Sequence, residues 1–127
     1  MAELSIRNTT RQSLPRLPFA RMKDSVLGKT YDLSLVFIGA TRARRLNVET
    51  RGKDYVPTVL SFPLSKESGE IFICLSKALQ EAPAYGKTPS QFIGYLFIHG
   101  LLHLDGLTHG STMDKSEQML SKKFDLN

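Results

Sequence analysis

The sequence predicts an α+β fold: a small mixed sheet of about four strands, covered by helices, with a central buried helix that carries the residues of most chemical interest. Three observations predict it. Short runs rich in β-branched and aromatic residues recur along the chain. The helical segments between them do not alternate with the strands regularly, which suggests α+β. One helical segment, residues 92–104, is apolar on nearly every side, as a helix enclosed by its neighbours must be. The 127 residues suit one compact domain, 1–127, with no repeat, low-complexity tract or linker to divide it.

Taken in order, residues 3–8 alternate enough for a short strand. Pro15 and Pro18 can open a helix but not sit inside one, so a helix is expected over 18–27, with Gly28 just past its end. Residues 33–38, LSLVFI, read as a buried strand. Residues 40–50 hold no Gly or Pro and read as a helix with a basic face of Arg42, Arg44 and Arg45, followed by Gly52. Residues 59–62 read as a strand stopped by Pro63. A polar stretch then suits a hairpin or a looser connection, and Gly69 and Glu70 lead into a strand over 71–75. Thr88 has the position of a helix cap, Pro89 fits the first helical position, and Gln91 stands where a capping-box partner belongs. The helix that follows ends at Gly106. A final amphipathic helix is expected over 113–124, with Met119, Leu120 and Phe124 facing inward.

Composition narrows the function classes. Apolar residues make up 41% and charged residues 23%, ordinary for a globular chain. No apolar run approaches the roughly 20 residues that cross a bilayer, and the N-terminus lacks the apolar core of a secretory signal, so no membrane association and a cytoplasmic location are expected. Cys74 is the only cysteine; it lies in the apolar run IFICL and reads as a buried, inert thiol. The net charge of +5 and the pI near 9.5 favour polyanionic partners, nucleic acid first.

All three histidines fall within the segment HGLLHLDGLTH, residues 99–109. His99 and His103, four apart on one helix, project from the same face one turn apart, a separation that one metal ion can bridge. Gly106 lets the chain turn and bring back His109 as a third ligand. Burying two imidazoles on so apolar a helix is costly unless something coordinates them. Three imidazoles leave a fourth tetrahedral position open, the pattern of a catalytic zinc site, and they suit one ion of zinc, nickel, copper or cobalt. The spacing is also that of metzincin proteases, but Gly100 stands where their general-base Glu follows the first His. Gly100 is expected instead to clear space beside the metal for a bulky substrate.

With these residues in place, the chain resembles the YbeY endoribonucleases, which mature ribosomal RNA in bacteria. Their hallmark HGxLHLxGxDH is similar to HGLLHLDGLTH here. Asn47, Arg51 and Asp54, followed by VLSFP at 59–63, look like a second family segment, and Gly69-Glu70-Ile71 like a third. The likeness runs in order from about Leu33 to His109. It implies a metal-dependent, single-strand-specific endoribonuclease with a mixed four-stranded sheet, acting in the cytoplasm on small-subunit ribosomal RNA, in its maturation and in ribosome quality control, with the small ribosomal subunit as partner. It implies His99, His103 and His109 as metal ligands and Arg51 as the active-site arginine. The chain departs from the pattern at Thr108, where the family has Asp, and at Val56-Pro57-Thr58, where it has Pro-Thr-Asp or Pro-Thr-Asn.

The chemistry these residues suit is phosphodiester cleavage. A three-histidine ion lowers the pKa of bound water towards about 7, and the planar fork of Arg51 matches a phosphate whose charge grows in the transition state. Taken alone, Arg51 reads rather as a solvated helix-end charge; the family resemblance is what turns the reading to the phosphate role. Arg42, Arg44, Arg45 and Lys53 offer a basic path for an RNA strand or an ordinary solvated face. Glu70 is a candidate general base. Attack by the RNA's own 2′-hydroxyl is a second route, which would leave a 2′,3′-cyclic phosphate. Two rivals remain: a metalloprotease-like zinc hydrolase, and a non-catalytic, ribosome-associated metal-binding protein.

Overall fold

Strand burial follows a period of two, and this places the sheet between two apolar cores. The structure, a computed structural model, describes residues 4–108 and 110–127. Strands β1 (Leu4–Asn8), β2 (Asp32–Ile38), β3 (Val59–Ser65) and β4 (Ser68–Cys74) form one sheet in the order β1-β2-β4-β3. β1 and β4 both pair parallel to β2, and β3 pairs antiparallel to β4, so the sheet is mixed and four-stranded, as expected. On β2, Leu33, Leu35 and Phe37 face one core while Val36 and Ile38 face the other, because successive side chains point to opposite faces.

Helices α1 (Phe19–Leu27) and α4 (Pro89–Leu104) cover the first face, contributing Phe19, Met22, Phe92, Phe97 and Leu101 to its core. Helix α2 (Ala40–Arg51) covers the second face through Ala43 and Leu46. Helix α5 (Ser111–Lys123) packs on α4. Each fully buried Leu, Ile or Phe contributes about 1.5–3 kcal/mol relative to exposure, so the larger core around α4 carries most of the stabilisation.

The ends of α4 are built as the sequence predicts. Gln91 N donates to Thr88 Oγ1 at 3.1 Å and Thr88 N donates to Gln91 Oε1 at 2.9 Å, closing the capping box. At the far end Gly106 adopts φ +91°. Gly106 N donates to His103 O and Leu107 N to Leu102 O, each at 3.0 Å. This paired arrangement is the Schellman turn, which needs a left-handed residue and so favours glycine.

Four expectations need correction. β3 does not stop at Pro63 but runs to Ser65. It is an edge strand with a register shift between Pro63 and Ser65, and edges and irregularities are where a strand tolerates a residue without an N–H. β4 ends at Cys74, and Leu75 opens an unforeseen helix α3 (Leu75–Glu81), followed by a 3₁₀ turn Ala82–Tyr85. Met119 is exposed, while Met113, Glu117 and Leu120 share the buried face of α5. At about 100° per residue, Met119 stands well round the helix from Met113. Finally, Gly100 does not open space for a substrate. A Cβ there would come within 3.0 Å of Ile71 Cδ1 and Ser61 Oγ, so the glycine lets α4 lie close against the sheet.

Candidate active site

A groove of about 760 Å³ lies along the β3 edge of the sheet, lined by Arg51, Tyr55, residues 57–62, His99 and His103. Its position follows from the layering. α2 ends on one face of the sheet and α4 crosses the other, and both reach the same edge where β3 has no further strand beside it. Arg51 therefore shares a groove with His99 and His103, although 48 residues separate it from His99 in the chain.

The two imidazoles meet edge to face, with ring centroids 4.6 Å apart and planes at 81°. Their Nε2 atoms are 3.0 Å apart. His103 Nδ1 lies 3.1 Å from Leu107 O; a carbonyl only accepts, so Nδ1 carries the proton and Nε2 has the lone pair. The turn at Gly106 is what brings that carbonyl back beneath the ring. His99 Nδ1 lies 2.7 Å from Glu117 Oε1, and a carboxylate accepts likewise. With both outer nitrogens protonated, the two Nε2 atoms either share a proton as a hydrogen bond or turn their lone pairs towards a cation between them. Two nitrogens bound to one tetrahedral zinc stand about 3.3 Å apart, so the observed spacing fits a shared divalent ion. Among the described residues no group of three His, Cys, Asp or Glu side chains is arranged to hold a metal. His109, the third ligand expected from the sequence, lies outside the described residues.

Glu117 is a site residue that sequence reasoning missed. It is 8% exposed on α5, and the only available signal was an acidic residue on the apolar face of an amphipathic helix. Tyr95, one turn before His99 on α4, donates its hydroxyl to Glu117; burial first, and that carboxylate next, push the phenol well above its ordinary range.

Arg51 closes α2, followed by Gly52 in the left-handed conformation at φ +65°. Its Nη1 donates to Asn47 Oδ1 at 3.3 Å, and Asn47 Nδ2 donates to Tyr55 O at 3.1 Å. Asn47 is fully buried. One amide thus ties the arginine to the loop that carries Tyr55, whose ring is half exposed. Of the other basic residues, Arg44 donates to Asp54 at 2.6 Å, an exposed pairing that raises the arginine pKa and lowers that of Asp54. Arg42 sits over the Phe72 ring at 5.9 Å, while Arg45 and Lys53 are exposed. Glu70 does not reach the groove. On β4 it alternates with Ile71, and Ile71 is the residue beneath Gly100, so the sheet separates Glu70 from the imidazoles. Cys74 is buried at the end of β4, as expected.

Fold and groove together define a class: an α+β protein with a histidine pair on a buried helix, facing an arginine across a sheet edge. The chain belongs to the endoribonuclease YbeY family, whose model matches residues 3–126. It is 34% identical over 109 residues to endoribonuclease YbeY of Spiroplasma citri, covering 76% of this chain and 69% of that protein. The Neisseria meningitidis serogroup B relative of the same name is 40% identical over 105 residues, covering 72% and 62%, and that of Geobacillus kaustophilus is 34% identical over 110 residues, covering 75% and 70%. The aligned region thus spans 62% to 70% of these relatives' lengths. A solution structure of a Thermotoga maritima protein shares the fold, with a TM-score of 0.68 at 20% identity over 96% of this chain and 89% of that one. Among the described residues no helix is long and apolar enough to cross a membrane.

Proposed function

We propose that this chain is a metal-dependent endoribonuclease that cuts single-stranded RNA, acting in the cytoplasm on small-subunit ribosomal RNA in its maturation and quality control, in association with the small ribosomal subunit. The observation that carries the reading is the groove itself, where Arg51 shares a wall-to-wall cleft with two imidazoles whose Nε2 atoms converge. The relatives' name supports the reaction and the polymer. The net charge of +5 supports a polyanionic substrate.

His99, His103 and His109 would hold one zinc ion, or nickel or another divalent transition metal. Such an ion supplies Lewis-acid polarisation of a phosphate and activates water near neutral pH. The protein's own residues do the rest. Arg51 commits one donor to Asn47, which orients the guanidinium, and its remaining donors suit the non-bridging oxygens of a scissile phosphate. The half-exposed Tyr55 ring offers a face on which an unpaired base can stack, a contact that single strands make and duplexes deny. Gly100 follows His99 in place of a glutamate and is packed against the sheet, so the proton acceptor of a peptide-cleaving HExxH site is lacking.

The test is elemental analysis joined to RNA cleavage. Wild type should carry about one zinc or nickel per chain after supplementation and should cut a single-stranded RNA, whereas His103→Ala should lose both. Wild-type protein without bound metal, or cleavage undiminished in His103→Ala, would remove the metal from the reaction. Product ends separate the two routes: a 2′,3′-cyclic phosphate means attack by the 2′-hydroxyl, and its absence from the earliest time points means attack by water.

A further inference from the structure

Glu117 is a buried carboxylate that, among the described residues, no buried Lys or Arg balances. Among the described residues the basic group in contact with it is the His99 imidazole, whose Nδ1 lies 2.7 Å away, with side chains 19% and 11% exposed for the histidine and the glutamate. Lys87 lines the same small hollow as Glu117, but its ammonium donates to Leu126 O at 2.8 Å and lies over the Tyr95 ring. Asp114, also lining the hollow, adds negative charge. A carboxylate taken out of water is unfavourable unless positive charge and hydrogen-bond donors meet it. The donors here are Tyr95 and His99, on successive turns of α4. The compensating charge must therefore lie on the imidazole side.

The two histidines also differ in how their outer nitrogen is held. His103 leans on a backbone carbonyl fixed by the Gly106 turn, which no side-chain change removes. His99 depends on a side chain from another helix. We propose that Glu117 is the positioning residue for His99: its carboxylate, steadied by Tyr95, holds the ring as the Nδ1–H form, aims the Nε2 lone pair at the shared cation, and supplies negative charge that strengthens the cation's binding. This rests on the metal reading given above and deepens it. It makes α5, which bears no ligand of its own among the described residues, a determinant of metal affinity. Loss of such an outer partner typically weakens a metal site 10–100-fold.

Zinc affinity, measured by competition with a chromogenic chelator, tests the claim on the full chain. Glu117→Ala should bind zinc roughly 10–100-fold more weakly than wild type, while Glu117→Gln, which keeps an oxygen to accept from Nδ1–H, should recover part of the loss. Nitrogen-15 spectra of the metal-free protein give a readout that mere packing would not move. His99 Nδ1 should carry a proton in wild type and Glu117→Gln, and in Glu117→Ala the proton should be shared between Nδ1 and Nε2. If Glu117→Ala misfolds, the glutamine variant and Tyr95→Phe carry the test, with Tyr95→Phe expected to weaken zinc binding several-fold. Wild-type zinc affinity in folded Glu117→Ala, or an unchanged His99 form, overturns the proposal alone. A wild-type protein that takes up no zinc overturns the metal reading, and the proposal with it.

Discussion

Asn47 accepts from Arg51 at 3.3 Å and donates to the Tyr55 carbonyl at 3.1 Å while wholly buried, so the arginine enters the groove already oriented. Orientation of this kind matters because a donor lowers a barrier only when it points at charge as that charge develops. Arg51→Ala should therefore keep its metal and its fold, losing about 1–3 kcal/mol because the buried Asn47 Oδ1 is left unpaired, yet cut RNA about 10²–10³-fold more slowly, the usual cost of removing one such donor. Quantified gel assays at full metal occupancy measure this, and wild-type turnover would place Arg51 outside the reaction. The residue scale was partly legible. The histidine spacing and Arg51 could be read from the chain, the latter through family likeness alone. The double role of Asn47 and the contact of Glu117 with His99 could not, because each is a meeting of side chains that the linear order leaves unspecified.

At the scale of elements, α4 governs both stability and site. Its apolar surface buries Phe92, Ile93, Phe97, Ile98 and Leu101, and Gly100 allows it to sit close enough to β3 and β4 for Ser61 Oγ to donate to Gly100 O at 3.2 Å. Gly100→Ala gains helix propensity, by roughly 1 kcal/mol, but drives a methyl against Ile71 and Ser61. Overpacking of that kind costs about 1–3 kcal/mol, and urea unfolding should show a net loss of stability. A stabilised Gly100→Ala would mean that the sheet yields easily there. The capping box and the Gly106 turn were legible because they are local, each using partners within a few residues. Helix α3 was not. Seven residues are too few to hold a helix in isolation, and α3 is held by Leu75 and Ala78, which pack into the core beside α4.

For the whole molecule, the sheet edge at β3 is where residues from both faces converge, and the chain carries a net charge of +5. Arg44 is already matched by Asp54, so fewer cations than the sequence count suggests are available to an RNA strand. Affinity for a single-stranded RNA should fall as salt rises, with a log–log slope of about −0.7 for each phosphate neutralised. Anisotropy titrations across about 50–200 mM salt would give that number of phosphates. An affinity independent of salt would exclude a groove that works by phosphate contact.

The amino-acid order alone determined the four strands, every α-helix but α3, the α+β class, the caps of α4 and the pairing of His99 with His103, since all of these depend on periodicity and on neighbours a turn away. Tertiary structure decided which face each element presents: it set Glu70 behind the sheet, turned Met119 to solvent, brought Glu117 to His99 and carried Arg51 to the same groove. Those outcomes depend on how separate elements pack, and burial of apolar surface selects that packing for the molecule as a whole, without regard to distance along the chain.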